Sequence, residues 1–332
     1  MKPHKRFLIG TALGGAVLSL ALGLPGTAGA QAWPTQTVRV VVPFAAGGAT
    51  DIIARMVAEK LSTRLGQNFI VENRGGASGI VGTQAVQNAK PDGHTLLLTG
   101  NGPHAVNVAL FAKLPYDPLR DFAQISLTGV LPLVLNANPG TPVKSLDDFI
   151  RWARSHPDKA TYASPGIGTP PHLSMELLAQ AHGLKLTHVP YKGSAPAIAD
   201  LIAGHVPVMF DNVFASIQNV RAGRIRSVAV GSLQRLDSLP EVPTFAESGM
   251  PGFQVATWTS LAAPAGTPAA IVNRLSAEVA AIFREPDVRE RLQGQGAMPV
   301  TSTPAETARF VAEEIDKWRR VAEAAKVPRQ DG

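Results

Sequence analysis

Two glycine turns carry the residue types best suited to hold a ligand. The first is Pro43-Phe44-Ala45-Ala46-Gly47-Gly48-Ala49-Thr50-Asp51, between the apolar run TVRVVVPF and the helically spaced DIIARMVAEKLSTRLG. The second is Ser164-Pro165-Gly166-Ile167-Gly168-Thr169-Pro170-Pro171-His172, between KATYASP and LSMELLAQAHG. Each hands a strand over to a helix. The first N–H groups of a helix lack intrahelical acceptors and sit at the positive end of its dipole, so such a turn suits an anion. Glycine lets that anion approach the backbone. Taken singly, each turn reads more readily as a tight strand-to-helix connection. As a matched pair facing one another, they would clamp a small carboxylate or phosphate.

Other chemistries are excluded by spacing. No Gly-Lys-Ser/Thr occurs, so neither turn is a P-loop. Gly47-Gly48-Ala49-Thr50 lacks the G-x-G-x-x-G spacing, and Pro171 stands where the second turn would need its third glycine. Glu72 ends a strand about where a ribose-binding acid would lie, but without the glycine fingerprint that is a weak sign. In GGASG, a nucleophile elbow would need glycine at Ile80. There is no cysteine, and the eight histidines show no zinc spacing. No nucleophile or acid–base pair emerges, so no catalytic residue, metal or cofactor is expected. His172 either donates to a ligand or bonds locally. Asp211, ending VPVMFD, either orients a ligand hydroxyl or ammonium or bonds loop amides. Trp258 either walls a pocket or fills the core.

The elements that must position these residues alternate. TVRVVVPF, NFIVEN and HTLLLTGN read as strands separated by the helices of DIIARMVAEKLSTRLG, stopped at Gly66, and of GGASGIVGTQAVQNAKPDG. After the looser LPYDPLRDF, a second alternating run begins with the strand LPLVLNAN. It continues through the helix SLDDFIRWARSHP, with Ser145 as N-cap, the strand KATYASP and the helix closed by Gly183. The strands KLTHVPY, VPVMFD and IRSVAVGS alternate with the helices SAPAIADLIAG and VFASIQNVRAG. QVATWTSLAAPAG reads as a strand and turn. Two helices follow, with Thr267 or Thr303 as N-cap and Pro268 or Pro304 at the first helical position. Such alternation predicts an α/β protein. The expected domains are 33–135 plus 252–332, and 136–251, with the last helices folding back on the first.

Composition narrows the setting. The first 32 residues combine Lys2, Lys5 and Arg6, an uncharged apolar run and a small-residue end, the pattern of a secretory signal peptide cleaved after Ala30 or Ala32. Its removal leaves about 300 residues, long for one core, so two domains are expected. Without the three basic leader residues, the net charge of +6 falls to +3. With no basic run interleaved with aromatics, nucleic acid is not an expected partner. A periplasmic location is expected.

Six stretches then stand in a familiar order: WPTQTVRVVVPFAAGGATDIIAR, VENRGGASGIVGTQAV, PDGHTLLL, LPYDPLRDF, VPYKGSAPAIADLIAGHV and PAGTP. The chain resembles the Bug family of periplasmic receptors, the substrate-binding proteins of tripartite tricarboxylate transporters, over essentially the whole mature sequence. The resemblance implies a two-domain type II periplasmic binding protein fold, the Venus flytrap. It implies a non-enzymatic, monomeric receptor that captures a small organic carboxylate and delivers it to membrane transporter subunits. The alternatives are the same fold serving a sensor kinase, and an exported enzyme acting on an organic acid. In the family the carboxylate is held largely by backbone amides of the two turns. Here those fall on Phe44, Ala45, Gly47, Gly48, Ala49, Thr50 and Asp51, and on Ser164, Gly166, Gly168, Thr169 and His172. The resemblance also points to Asp211, at the family's FDN position, and to Asn101, beside Gly100 at a strand end facing the cleft. The chain departs from the family at His94, often tyrosine there, and at Ala45 and Ala46, where a second proline is common. Neither departure removes an amide from the start of the helix.

Overall fold

β1 (Val38–Val42) is apolar at all but one position because both its faces are covered. The computed structural model describes residues 33–324, 327 and 329; the expected signal peptide, 1–32, lies outside the described residues. α1 (Ala49–Leu65) connects β1 to β2 (Phe69–Asn73), and α2 (Ile80–Gln87) connects β2 to β3 (Thr95–Gly100). β1 lies between β2 and β3, parallel to both. Gly66 ends α1 at φ +68°, its N–H bonded to the Ser62 carbonyl, as a C-terminal glycine should.

A π-helical turn (Gly102–Val106) and α3 (Asn107–Leu110) follow β3. Neither was expected. β4 (Phe122–Ala137) begins well before the predicted LPLVLNAN strand. Then come α4 (Leu146–Ser155), β5 (Thr161–Ser164), α5 (Pro170–His182), β6 (Thr187–Pro190), α6 (Ser194–Ala203), β7 (Val208–Asn212), α7 (Val213–Arg221) and β8 (Arg226–Val230). The tail holds β9 (Ala256–Pro264), α8 (Ala269–Ile282), α9 (Pro286–Gly294) and α10 (Pro304–Ala324). α5 starts at Pro170, earlier than expected, so the two prolines belong to its first turn. Thr303 caps α10 as predicted, accepting from Glu306 N–H while Glu306 accepts from Thr303 N–H. Thr267 does not cap α8. Pro268 holds the cap position, with ψ 134°, and the Thr267 hydroxyl donates to the Pro264 carbonyl instead.

The strands run in the order β2-β1-β3-β9-β4-β7-β5-β6, with β8 also on β4. β4 is the shared member. Its Phe122–Pro132 part pairs with β9, and its Leu133–Ala137 part with β7 and β8. Pro132, with no N–H to give a ladder, stands where the partners change. Among the described residues, no helix is long and apolar enough to cross a membrane.

Candidate functional site

The first turn is fixed by one carboxylate. Asp51 is buried in the first turn of α1. Its Oδ2 accepts from Gly47 N–H at 2.9 Å and Arg55 Nε at 3.0 Å; its Oδ1 accepts from Asn73 Nδ2 at 2.9 Å. The Asn73 amide also donates to the Phe44 carbonyl at 3.1 Å. Burial alone would push the Asp51 carboxyl up; hydrogen bonds from Arg55, Gly47 and Asn73 outweigh it and hold it below its usual range. Asp51 thus latches the turn from inside and occupies Gly47 N–H. Ala45, Gly47 and Gly48 are exposed, and Ala49 and Thr50 are partly so. As first-turn residues, Ala49 and Thr50 have N–H groups without intrahelical acceptors.

A second loop braces this turn. A Cβ at Gly75 would stand 3.6 Å from the Ala45 nitrogen, so Gly75-Gly76-Ala77-Ser78-Gly79 lies alongside it. Ala77 and Ser78 both have positive φ, +45° and +54°. Two consecutive non-glycine residues in that region hold strain of the kind that gathers at ligand clamps. The Ser78 carbonyl accepts from Asn107 Nδ2 at 3.0 Å. As sequence, GGASG is weighed only as a nucleophile elbow and a helix entry; that this loop and Asn73 brace the first turn was not foreseen.

The second turn offers fewer amides than expected. Gly168, at φ +72°, donates its N–H to His172 Nδ1 at 3.1 Å. Gly166 N–H donates to Ser164 Oγ at 3.2 Å. Thr169 turns both N–H and hydroxyl onto the Gly166 carbonyl. Pro170 and Pro171 have no N–H to give. Ile167, whose side chain is exposed, and His172 retain the amides not committed to these bonds. Behind the turn, the rings of Tyr162, His188 and His172 form a stack.

Both turns touch the segment after β3. A Cβ at Gly102 would lie 3.8 Å from Phe44 Cζ, and one at Gly168 would lie 2.4 Å from Leu110 Cδ1. Asn101, which opens this segment, is 4% exposed, and its Nδ2 has no partner among the described residues. Asp211 is fully buried, on the same side of β7 as Met209, which packs in the cluster of Ala197, Ile198 and Leu201 from α6. Its Oδ1 accepts from Asn212 N–H at 2.7 Å, while Oδ2 makes no hydrogen bond among the described residues. Burial pushes the Asp211 carboxyl up to about 7, against the pull of the Ser194 side chain and the Asn212 amide. Trp258 is core: it is 2% exposed and donates Nε1–H to the buried Glu314.

The chain is similar to known proteins over most of its length. A family model described as the tripartite tricarboxylate transporter family receptor matches residues 53–327. BugT of Bordetella pertussis is 37% identical over 300 residues, covering 90% of this chain and 92% of that protein. A structure of Rpa4515 from R. palustris with adipate superposes with a TM-score of 0.85 at 38% identity, covering 90% of this chain and all of that one. MatC (Rpa3494) from Rhodopseudomonas palustris with bound malate has a TM-score of 0.79 at 39% identity, covering 87% and 99%. The chain has the two-domain α/β fold of these periplasmic binding proteins.

Proposed function

Because the chain belongs to the tripartite tricarboxylate transporter receptor family, we propose that it is a periplasmic receptor that captures a small organic carboxylate and delivers it to a transporter of that type. The observation that carries this reading is the first turn. Exposed Gly47 and Gly48 lead into α1, whose first-turn amides lack intrahelical acceptors, and Asp51 holds the turn in shape from inside. The turn has no lysine or arginine, which suits backbone recognition of a single carboxylate. Similarity to proteins carrying adipate and malate supports dicarboxylates as the ligand class.

The ligand contacts in this reading are Ala45, Gly48, Ala49 and Thr50 on one side and Ile167 and His172 on the other. Residues 33–135 with 252–332 form one lobe and 136–251 the other. Closure of the lobes sheds water, which strengthens each hydrogen bond to the ligand. Residues 1–32 direct export. In this reading the protein binds its acid without turnover, as befits a family described as transport receptors.

A panel of adipate, malate, tricarboxylates, amino acids and aromatic acids tests the reading by thermal shift and calorimetry. At least one acid is expected to bind with micromolar or tighter affinity, stabilising the fold by about 3 kcal/mol at a hundredfold excess over Kd. A panel without a binder, or chemical conversion of a bound acid, would overturn it.

A further inference from the structure

We propose that His172 and His188 are positioning residues for ligand capture, locking the second turn through a pair of stacked rings of which His172 must be uncharged. This deepens the receptor reading above and rests on it.

The pair is built by register. Tyr162 of β5 and His188 of β6 are paired residues, so their side chains share the face that α5 covers. The His188 ring lies 4.8 Å from Tyr162 and 4.1 Å from His172, tilted by 19° from each. The ring nitrogens reach the turn itself. His188 Nε2 is 2.7 Å from Ser164 Oγ, the atom that accepts Gly166 N–H. His172 Nδ1 accepts Gly168 N–H.

A backbone N–H can only donate, so His172 Nδ1 must carry a lone pair. An imidazolium has a proton on both nitrogens and loses that bond. Two cationic rings in van der Waals contact would also repel one another. The groups facing the pair are few. Tyr162 of β5 donates its hydroxyl to Glu176 of α5, a carboxylate that also acts on His172. β7 contributes Val208 and Phe210, packed with Tyr162. Burial lowers His172 below the usual imidazole range, partly offset by Glu176. Burial followed by His172 pushes His188 down to about 4. Both rings are thus neutral at ordinary pH.

Gly166 and Gly168 stand at φ +155° and +72°, and the prolines at 170 and 171 supply no amides. The shape that presents Ile167 and His172 N–H is held by the Ser164 and His172 side chains together with the backbone bonds from Thr169 N–H to the Gly166 carbonyl and from Gly193 N–H to the Pro165 carbonyl.

The imidazoles of ligand-free, ¹⁵N-labelled protein, followed by long-range ¹H–¹⁵N correlation from pH 8 to 4, provide the first test. His172 Nδ1 is expected to become protonated only below the ordinary imidazole range, together with a shift of the Gly168 amide. A His172 that titrates at the ordinary imidazole value while Gly168 stays unmoved would overturn the proposal. The second test measures adipate binding by calorimetry at pH 7.5. His188→Leu is expected to weaken it about 3–10-fold with an unchanged circular dichroism spectrum. His188→Gln, which can still bond Ser164, is expected to recover part of the loss. Wild-type affinity and an unshifted Gly168 amide in His188→Leu would also overturn it. If wild-type protein binds no adipate, the calorimetry uses malate or another panel acid that binds; if none binds, the receptor reading is what fails, and the ring titration still decides the positioning role.

Discussion

Asp211 shows how far a residue's type falls short of its role. An aspartate at a strand's C-terminal end suits a ligand amine or hydroxyl, yet its side chain is fully buried beside the start of α6. Its carboxyl is raised from 3.8 to about 7, so the native state keeps a proton that the unfolded chain has released. Between those two values the folded protein binds more protons, and stability falls as pH rises. Asp211→Asn, which is uncharged throughout, is therefore expected to match wild type near pH 4 and to exceed it by about 2–4 kcal/mol at pH 8. Urea unfolding at pH 4.5 and 8 checks this; an equal difference at both would contradict the burial argument. Asp51 and the Pro170-Pro171 pair were equally visible as letters. That Asp51 takes up Gly47 N–H, and that the prolines leave the second turn short of donors, follows only once the chain's direction at those points is known.

At the scale of elements, glycines decide how closely the first turn can be braced. Gly82 of α2 faces Pro43, which opens that turn. A Cβ there would meet the Arg74 carbonyl oxygen at 2.5 Å and Pro43 Cα at 2.8 Å, both backbone atoms. Gly82→Ala is expected to cost about 1–3 kcal/mol and to lower ligand affinity, because α2 and the turn must separate. Thermal melts and calorimetry read both. Helix ends governed by local geometry were legible: Gly66, Ser145, Gly183 and Thr303 behave as their residue types predict. The π-helical turn after β3 was not. It wraps the wholly buried His104, whose ring lies 5.2 Å from Phe122, a residue distant in sequence.

In the whole molecule, residues far apart in the chain meet around α10. Leu173 of α5 packs in one apolar cluster with Ala109 and Leu110 of α3 and with Val311 and Ile315 of α10. Leu173 follows the second turn directly, so this cluster fixes where that turn lies relative to α3. Leu173→Ala is expected to cost about 2–5 kcal/mol, measured by urea unfolding; a loss below 1 kcal/mol would show that the cluster closes over the gap. Glu314 adds a polar tie, with Trp258 of β9 and Trp318 of α10 both donating indole N–H to its Oε2. Lys317 pairs with the other carboxylate oxygen, so the buried charge is not left alone.

The alternation of strands and helices and the position of both turns were determined by the sequence alone, with a carboxylate or a phosphate as the anion such turns suit. These follow from periodicity, glycine and capping, which act over a few residues. Which amides stay free for a ligand was decided by the tertiary structure. Gly47 is claimed by Asp51, whose orientation needs Asn73 from the next strand; Gly168 is claimed by His172, whose ring is stacked on His188 from β6. A hydrogen-bond donor is available or spent according to what packs beside it, and that is set by chain segments distant in sequence.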